Sequence, residues 1–577
     1  MAGIWNLNVV PFFVLSAFAV LLTSGYNFDT GRSDDAYGRR FIVVLPVEKD
    51  TSIPTVHDIY LSSRSSKIVQ VNASRPDTKW KAPGITTIQP GIIANVTLNM
   101  KGPYRTPFNP NGIPIQIDAH EDIGVWVVLG RGNSILGGYR AIPLAALAKN
   151  YVSVMYPSSK YASEIVLFSP ANERNEIYFY HQNADMGMTI DNVTDAVHTV
   201  PDLPVVFTIP KMDSAKIVSS SSDLSGLKMA ASKPILVTSG RNCSTSPQAC
   251  NDLMEQPAPL GTWGQSFVIV PQITNGPSIL KLRIIPAFLD QNTTVSTYTS
   301  SGFLKENWTM NEEEVFRDID VTAGRLFTIR ATKPIMVTQF FTDKQRRLDY
   351  AAMANLPPVE QFTNRTVVFP VQNHHKFNNT LVVITRCEHR KDILLNNKDI
   401  SNKYSASVKF NSIQDSSVHG TYCVFNTTLL SGSHALKLRS NSNIGAAYSA
   451  IVYGAGTKEA YAYQVAADLQ EIVCGTEGGH VSLCEFYTPP DYITPSTNET
   501  SKSKSGDPNS KTEPDHTIAI VVVLVILSSL VIIIVVIVVL GSYGKDKGGP
   551  RVAWRRLQNT EMHYDPSYDE DNVEVDV

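Results

Sequence analysis

Apolar residues along this chain recur in short runs that alternate with polar ones and stop at glycine, proline, asparagine or serine. That is the pattern of half-buried strands. No long stretch keeps the three-to-four-residue period of an amphipathic helix, which argues against architectures that alternate strands with helices. Two segments break the pattern. Val9 to Leu22 is a short apolar run ending in Thr23-Ser24-Gly25, and Thr517 to Leu540 is apolar throughout, with no charge, proline or glycine.

The strand pattern repeats. Ala231 to Thr238 reads ASKPILVT and Ala331 to Thr338 reads ATKPIMVT, and the likeness continues from Met254–Pro271 to Met353–Pro370. A looser template of three apolar positions finds Ile117, Ile123, Val125; Met229, Ile235, Val237; Ile329, Ile335, Val337; and Leu438, Ile444, Ala446. Each copy follows an apolar run: FIVVLP from Phe41, YVSVMYP from Tyr151, FVIVPQ from Phe267 and TVVFPVQ from Thr366. Turn signals fall between them at Asn111-Gly112, Ser225-Gly226, Ala323-Gly324 and Ser431-Gly432. Pro234 and Pro334 are expected at strand starts, where a missing backbone donor is tolerated. The fold class is therefore all-β: four tandem β-sandwich-like units of about 100 residues each, plus one transmembrane helix. Units are expected at 39–140, 141–257, 258–357 and 358–470, with Ile123, Ile235, Ile335 and Ile444 in equivalent places.

Thr517–Leu540 is long enough as a helix to cross a hydrocarbon core of about 30 Å. The basic residues after it, Lys545, Lys547, Arg551, Arg555 and Arg556, place the 541–577 tail in the cytoplasm. Residues 1–25 read as a signal peptide, although its first residues carry no Lys or Arg. The expected localisation is the plasma membrane, single-pass type I, with an extracellular ectodomain. Residues 485–516, rich in Pro, Ser, Thr and Lys, read as a stalk.

Composition fits that topology. The chain has 577 residues and a net charge of -3, so no basic excess points to nucleic acid. All six cysteines, Cys243, Cys250, Cys387, Cys423, Cys474 and Cys484, fall on the exterior side. Sequence neighbours are the expected partners, the last pair closing a small segment at 471–484. Glycosylation sequons stand at Asn72, Asn95, Asn192, Asn242, Asn292, Asn307, Asn364, Asn378, Asn426 and Asn498, all between the two hydrophobic segments.

No motif for catalysis, phosphate or metal binding stands out, and no cofactor is called for. Glu312-Glu313-Glu314 with Asp318 and Asp320 lacks the glycine and spacing of a calcium loop and reads as a solvated edge. His374, His375 and His389 read as exposed loop histidines, and Trp263 as a core residue rather than a ligand anchor. In the tail, Tyr564 and Tyr568 have acidic neighbours that suit phosphorylation and a phosphotyrosine-binding partner, against the simpler reading of a solvated acidic tail. Val575-Asp576-Val577 could add a strand to a PDZ domain.

The stretch Lys233 to Pro271, with Lys233-Pro234, Ser239-Gly240, Cys243, Cys250, Glu255-Gln256 and Trp263-Gly264 in order, resembles the N-terminal domain of the IgG Fc-binding protein family. Tyr453 to Asp468 resembles the closing segment of that domain. The resemblance implies a recognition or adhesion receptor for an extracellular glycoprotein, matrix or microbial ligand, with Fc a candidate. An ectoenzyme with an unfamiliar site and a structural surface-coat protein stay open as alternatives.

Overall fold

The computed structural model describes residues 35–472, except 47–54, 77–86, 100–111, 132–133, 157–161, 181–187, 192–204, 221, 243–252, 274–278, 289–291, 312–313, 343, 345–350, 373–376, 411–418 and 440–444. These belong to one compact unit, Met1–Tyr492. The second, Ile493–Val577, lies outside the described residues, as do the expected signal peptide, stalk, membrane segment and tail. Among the described residues no helix is long and apolar enough to cross a membrane. The architecture there is all-β, with only short 3-10 turns between strands.

The strands fall into four sequential groups. The first comprises β1 (Gly38–Leu45), β2 (Val56–Ser63), β3 (Val69–Ser74), β4 (Thr87–Ile88), β5 (Ala94–Asn99), β6 (Ile113–Arg131) and β7 (Ser134–Arg140). Its long β6 belongs to two sets of partners. The half up to Ala119 pairs with β1 and β3, as in Phe41 opposite Ile117 and Val71 opposite Ala119. The half from Ile123 pairs with β2 and β7, as in Ser63 opposite Ile123 and Arg140 opposite Trp126. β4 extends the sheet beyond β3, and β5 beyond β2.

The third group repeats this order strand for strand: β16 (Gly264–Ile269), β17 (Ile279–Pro286), β18 (Thr293–Thr299), β19 (Leu304–Met310), β20 (Arg317–Thr322), β21 (Phe327–Phe341) and β22 (Ala352–Asn355). The second has β8 (Ala148–Val152), β9 (Ala162–Ser169), β10 (Asn175–Tyr180), β11 (Met188–Asp191), β12 (Val205–Ile209), β13 (Asp213–Ser219), β14 (Lys228–Asn242) and β15 (Leu253–Glu255). It keeps the same order and adds β11 at the edge beside β13.

In the fourth, with β23 (Val367–Val371), β24 (Asn378–Arg386), β25 (Ile393–Leu395), β26 (Lys398–Asp399), β27 (Tyr404–Phe410), β28 (Gly420–Leu429), β29 (Gly432–Leu438), β30 (Tyr448–Ala455) and β31 (Ala460–Ala466), the long strand is broken. β29 carries β23 and β25 while β30 carries β24 and β31, so two separate sheets replace one.

Glycines make the entry to each long strand possible. Gly112, Gly226, Gly324 and Gly432 have φ of 114, 78, 71 and 121°, values that side-chain-bearing residues avoid, and each stands at the head of its long strand. The prolines sit differently from expectation. Pro234 and Pro334 lie inside β14 and β21, not at their starts. There the pairing slips, from Ala230 opposite Asn150 to Ile235 opposite Ala148, and from Arg330 opposite Ser266 to Ile335 opposite Gly264. A residue without an N–H fits the bulge at which the strand changes partners.

The same register locates the repeated isoleucines. Ile123, Ile235 and Ile335 stand opposite Gly38, Ala148 and Gly264, but in the fourth group the residue opposite Thr363 is Tyr448. Ile444 lies outside the described residues.

Apolar cores run within and between groups. One cluster joins Ile42 and Val44 to Val166 and Phe168; a second joins Val152 and Trp263 to Ile285 and Phe340. A third joins Val337 and Phe341 to Val382 and Tyr453, and a fourth joins Trp126 and Val128 to Val383 and Tyr463. Each group thus shares a core with the next, and the fourth with the first. Each fully buried Ile, Leu or Phe contributes about 1.5–3 kcal/mol. The four groups form a closed circuit, because the last group buries apolar surface of the first, as with Trp126 and Val128.

Candidate functional site

Several residues singled out in the sequence fall within the described part. Cys387 is bonded to Cys423, tying a 3-10 turn to β28. Cys243, Cys250, Cys474 and Cys484 lie outside the described residues. Asn72, Asn95, Asn292, Asn307, Asn364 and Asn378 are exposed, while Asn426 is half-buried and donates from Nδ2 to Ser405 Oγ at 3.2 Å. Asn242 is the last residue of β14; Asn192 and Asn498 lie outside the described residues, as do Tyr564, Tyr568 and Val577.

Trp263 is buried, its indole N–H donating to Ala258 O at 3.0 Å, and packs in the core between the second and third groups. His389, expected on the surface, is buried instead, with Nδ1 at 3.2 Å from Asp392 Oδ2. His374 and His375 lie outside the described residues, as do Glu312 and Glu313. The remaining acids of that run are matched to cations: Glu314 to Arg317, Asp320 to Lys281 at 2.9 Å and Asp318 to Arg283 at 2.7 Å. Among the described residues no cluster of His, Cys, Asp and Glu could hold a metal ion.

Two places bring chemistry together that the sequence reading did not single out. The first is interior. The last strands β7, β15, β22 and β31 of the four groups meet, and a cavity of about 60 Å³ opens there, lined by Arg140, Glu255, Gln256, Asn355, Gln464 and Asp468 among others. Backbone N–H groups of Asn355 and Gln256 donate to Glu255, yet burial dominates and pushes its carboxyl up to about 8. Gln256 Oε1 accepts from Ile142 N at 2.8 Å, fastening the segment after β15 to the connection between β7 and β8. Gln361 acts similarly, donating from Nε2 to Thr262 O at 2.8 Å and to Gln470 O at 2.6 Å. The Glu255-Gln256 pair stood in the sequence signature; its place at a four-way junction did not.

The second place is on the surface. The turn joining β18 to β19 projects Phe303 and Leu304, which are 74% and 57% exposed. Beside that hairpin lies an open groove of about 560 Å³, lined by Lys305, Arg325, Phe327 and, from β27 of the fourth group, Ala406 and Ser407. Exposed aromatic and aliphatic side chains beside an open groove with two cations are the makings of a contact surface for another macromolecule. The sequence signal was Gly302-Phe303-Leu304, an apolar pair following a turn glycine where turn tips are ordinarily polar.

These sheets and this surface define an all-β protein built from repeated strand groups closed on themselves. The family described as IgGFc binding protein matches residues 137–454, and the chain belongs to that family. The IgGFc-binding protein of Homo sapiens is 42% identical over 52 residues, which is 9% of this chain and 1% of that much longer protein. Among solved structures, the pilus backbone (RrgB) of Streptococcus pneumoniae has 8% identity and a TM-score of 0.10 over 69% of this chain and 93% of its own. That likeness is too slight to carry an argument.

Proposed function

We propose that this chain is the recognition part of a type I cell-surface glycoprotein that binds an extracellular macromolecule without transforming it. The observation that carries the reading is the Phe303–Leu304 turn beside the groove between the third and fourth strand groups. Buried apolar anchors ringed by polar groups are what make protein contacts tight, and Lys305 and Arg325 favour an acidic or sialylated partner surface. The four strand groups serve as four β-sandwich-like units whose closure holds that surface rigid. Immunoglobulin G Fc is the first candidate ligand, because the human relative is named for binding it; matrix, mucus and microbial glycoproteins are the others. Apolar Thr517–Leu540 and the basic residues after it support the orientation with the sheets outside.

The test is surface plasmon resonance of the full-length chain in detergent against IgG Fc, matrix and mucus glycoproteins, beside a variant with Phe303→Ser and Leu304→Ser. Binding that falls at least tenfold in the variant, with unfolding unchanged, supports the reading. Equal binding by both proteins would remove the groove from the site. Turnover of a substrate in a hydrolase screen, with no binding, would favour an ectoenzyme.

A further inference from the structure

The cavity at the four-way junction collects three buried donors that lack acceptors, with the carboxylate of Asp468 also in its lining. Arg140 and Gln256, 6% and 4% exposed, and Asn355 all line it. Arg140 Nε, Gln256 Nε2 and Asn355 Nδ2 are buried and have no hydrogen-bond partner. The other ends of the two amides are occupied: Gln256 Oε1 by Ile142 N at 2.8 Å, Asn355 Oδ1 by the Thr338 hydroxyl at 2.6 Å. So the end of each amide left without a partner is its N–H. Arg140 makes one long hydrogen bond, from Nη1 to Ala467 O at 3.4 Å, and its guanidinium lies 5.6 Å from the ring centres of Tyr37 and Trp126. Neighbouring arginines take the nearby carboxylates: Arg64 and Arg365 hold Asp35 at 2.6 and 3.0 Å, and Arg365 lies 3.8 Å from Asp468.

We propose that the cavity binds a small monovalent anion of chloride size, held by Arg140, Gln256 and Asn355, which come from β7, the segment after β15, and β22. Buried donors of native proteins are satisfied almost without exception, and an acceptor-only ligand meets three at once while offsetting the buried guanidinium charge. About 60 Å³ admits one such ion with a water beside it. Glu255, kept protonated at neutral pH by burial, adds a donor there rather than a competing charge. Asp468 lines the same cavity, and its charge is drawn both to Arg365, 3.8 Å away, and to Arg140. Anion binding fastens the first, second and third strand groups to one another.

The experiment compares thermal unfolding of the full-length chain in sodium chloride and in sodium gluconate at equal ionic strength. Chloride is expected to raise the midpoint saturably, by roughly 2 °C. In Gln256→Glu, which keeps the acceptor for Ile142 N but replaces the free N–H by an oxygen, the chloride effect disappears. Asn355→Asp serves the same purpose if the first variant does not fold. Crystals grown in bromide should give an anomalous peak among the three side chains. Equal midpoints in both salts, a chloride effect retained in both variants, or a cavity holding only water in the bromide crystals would each overturn the proposal.

Discussion

Arg283 of the third strand group donates from Nη1 to Asp223 of the second at 2.7 Å. The same guanidinium gives Nε and Nη2 to Asp318 at 2.7 and 2.8 Å and Nη1 to Ser225 Oγ and Met155 O, while lying 3.8 Å from the ring centre of Phe316. Only 1% of its side chain is exposed, against 24% for Asp223 and 23% for Asp318, so the clamp buries the cation between two partly buried carboxylates.

Arg283→Met should therefore destabilise the chain by about 3–5 kcal/mol, because it leaves two partly buried carboxylates without a partner. Denaturant unfolding measures this. Adding Asp223→Asn and Asp318→Asn should recover part of the loss; a single variant as stable as the parent would show that the clamp carries nothing.

The bond between Cys387 and Cys423 closes a chain segment with a sequence separation of 36. In the chain-entropy picture, removing it with Cys387→Ser and Cys423→Ser costs about 4 kcal/mol. Because the two cysteines lie in the fourth group, limited proteolysis should cut first between β23 and β31. Cleavage beginning in the first group would contradict this.

Two buried groups give stability a pH dependence of opposite sign. Burial holds His57 neutral down to about 4, whereas the unfolded chain takes up that proton near 6.5. The unfolded state binds more protons in between, so this contribution falls as pH drops from 6.5 to 4. Glu255 stays protonated up to about 8 but ionises near 4.5 when unfolded, so its contribution is full below 4.5 and is lost as pH rises to 8. Each slope is at most about 1.4 kcal/mol per pH unit. Above 6.5 Glu255 acts without opposition from His57. Glu255→Gln should gain on the parent steadily between pH 6.5 and 8 in thermal unfolding; a constant difference across that range would refute the assignment.

Glycan occupancy should follow exposure. Asn72, Asn95, Asn292, Asn307, Asn364 and Asn378 are expected to carry glycans in chain made by mammalian cells, and Asn426, whose Nδ2 is held by Ser405, to carry little. Peptide mapping after enzymatic deglycosylation in heavy-oxygen water reads each site. Full occupancy at Asn426 would mean that the amide is free when the chain is modified, before β27 and β28 pair.

The sequence by itself determined the strand character, the repeat and its turns. Alternation of apolar and polar residues is a local consequence of the pleat, and glycines such as Gly112 and Gly226 record a backbone angle that other residues avoid, so both are written position by position. The family signature was legible for the same reason. What the tertiary structure alone decided is where distant positions meet. Pro234 and Pro334 look like strand starts until the register places them at a change of partners within one strand. In the fourth group the residue found opposite Thr363 is Tyr448, beyond a break between β29 and β30 that no local pattern announces. Arg283 alternates with Lys281 in Ile279–Pro286 as a solvent-facing pair would, and only the packing of the second group on the third buries it and names Asp223 as its partner. Closure of the fourth group on the first, and with it the cavity at the four-way junction, depends on contacts between residues hundreds of positions apart, such as Tyr37 with Val368, and the Phe303 groove on packing of the third group beside the fourth. Such contacts leave no local period in the chain, since burial constrains only that each face be apolar and not which face it meets.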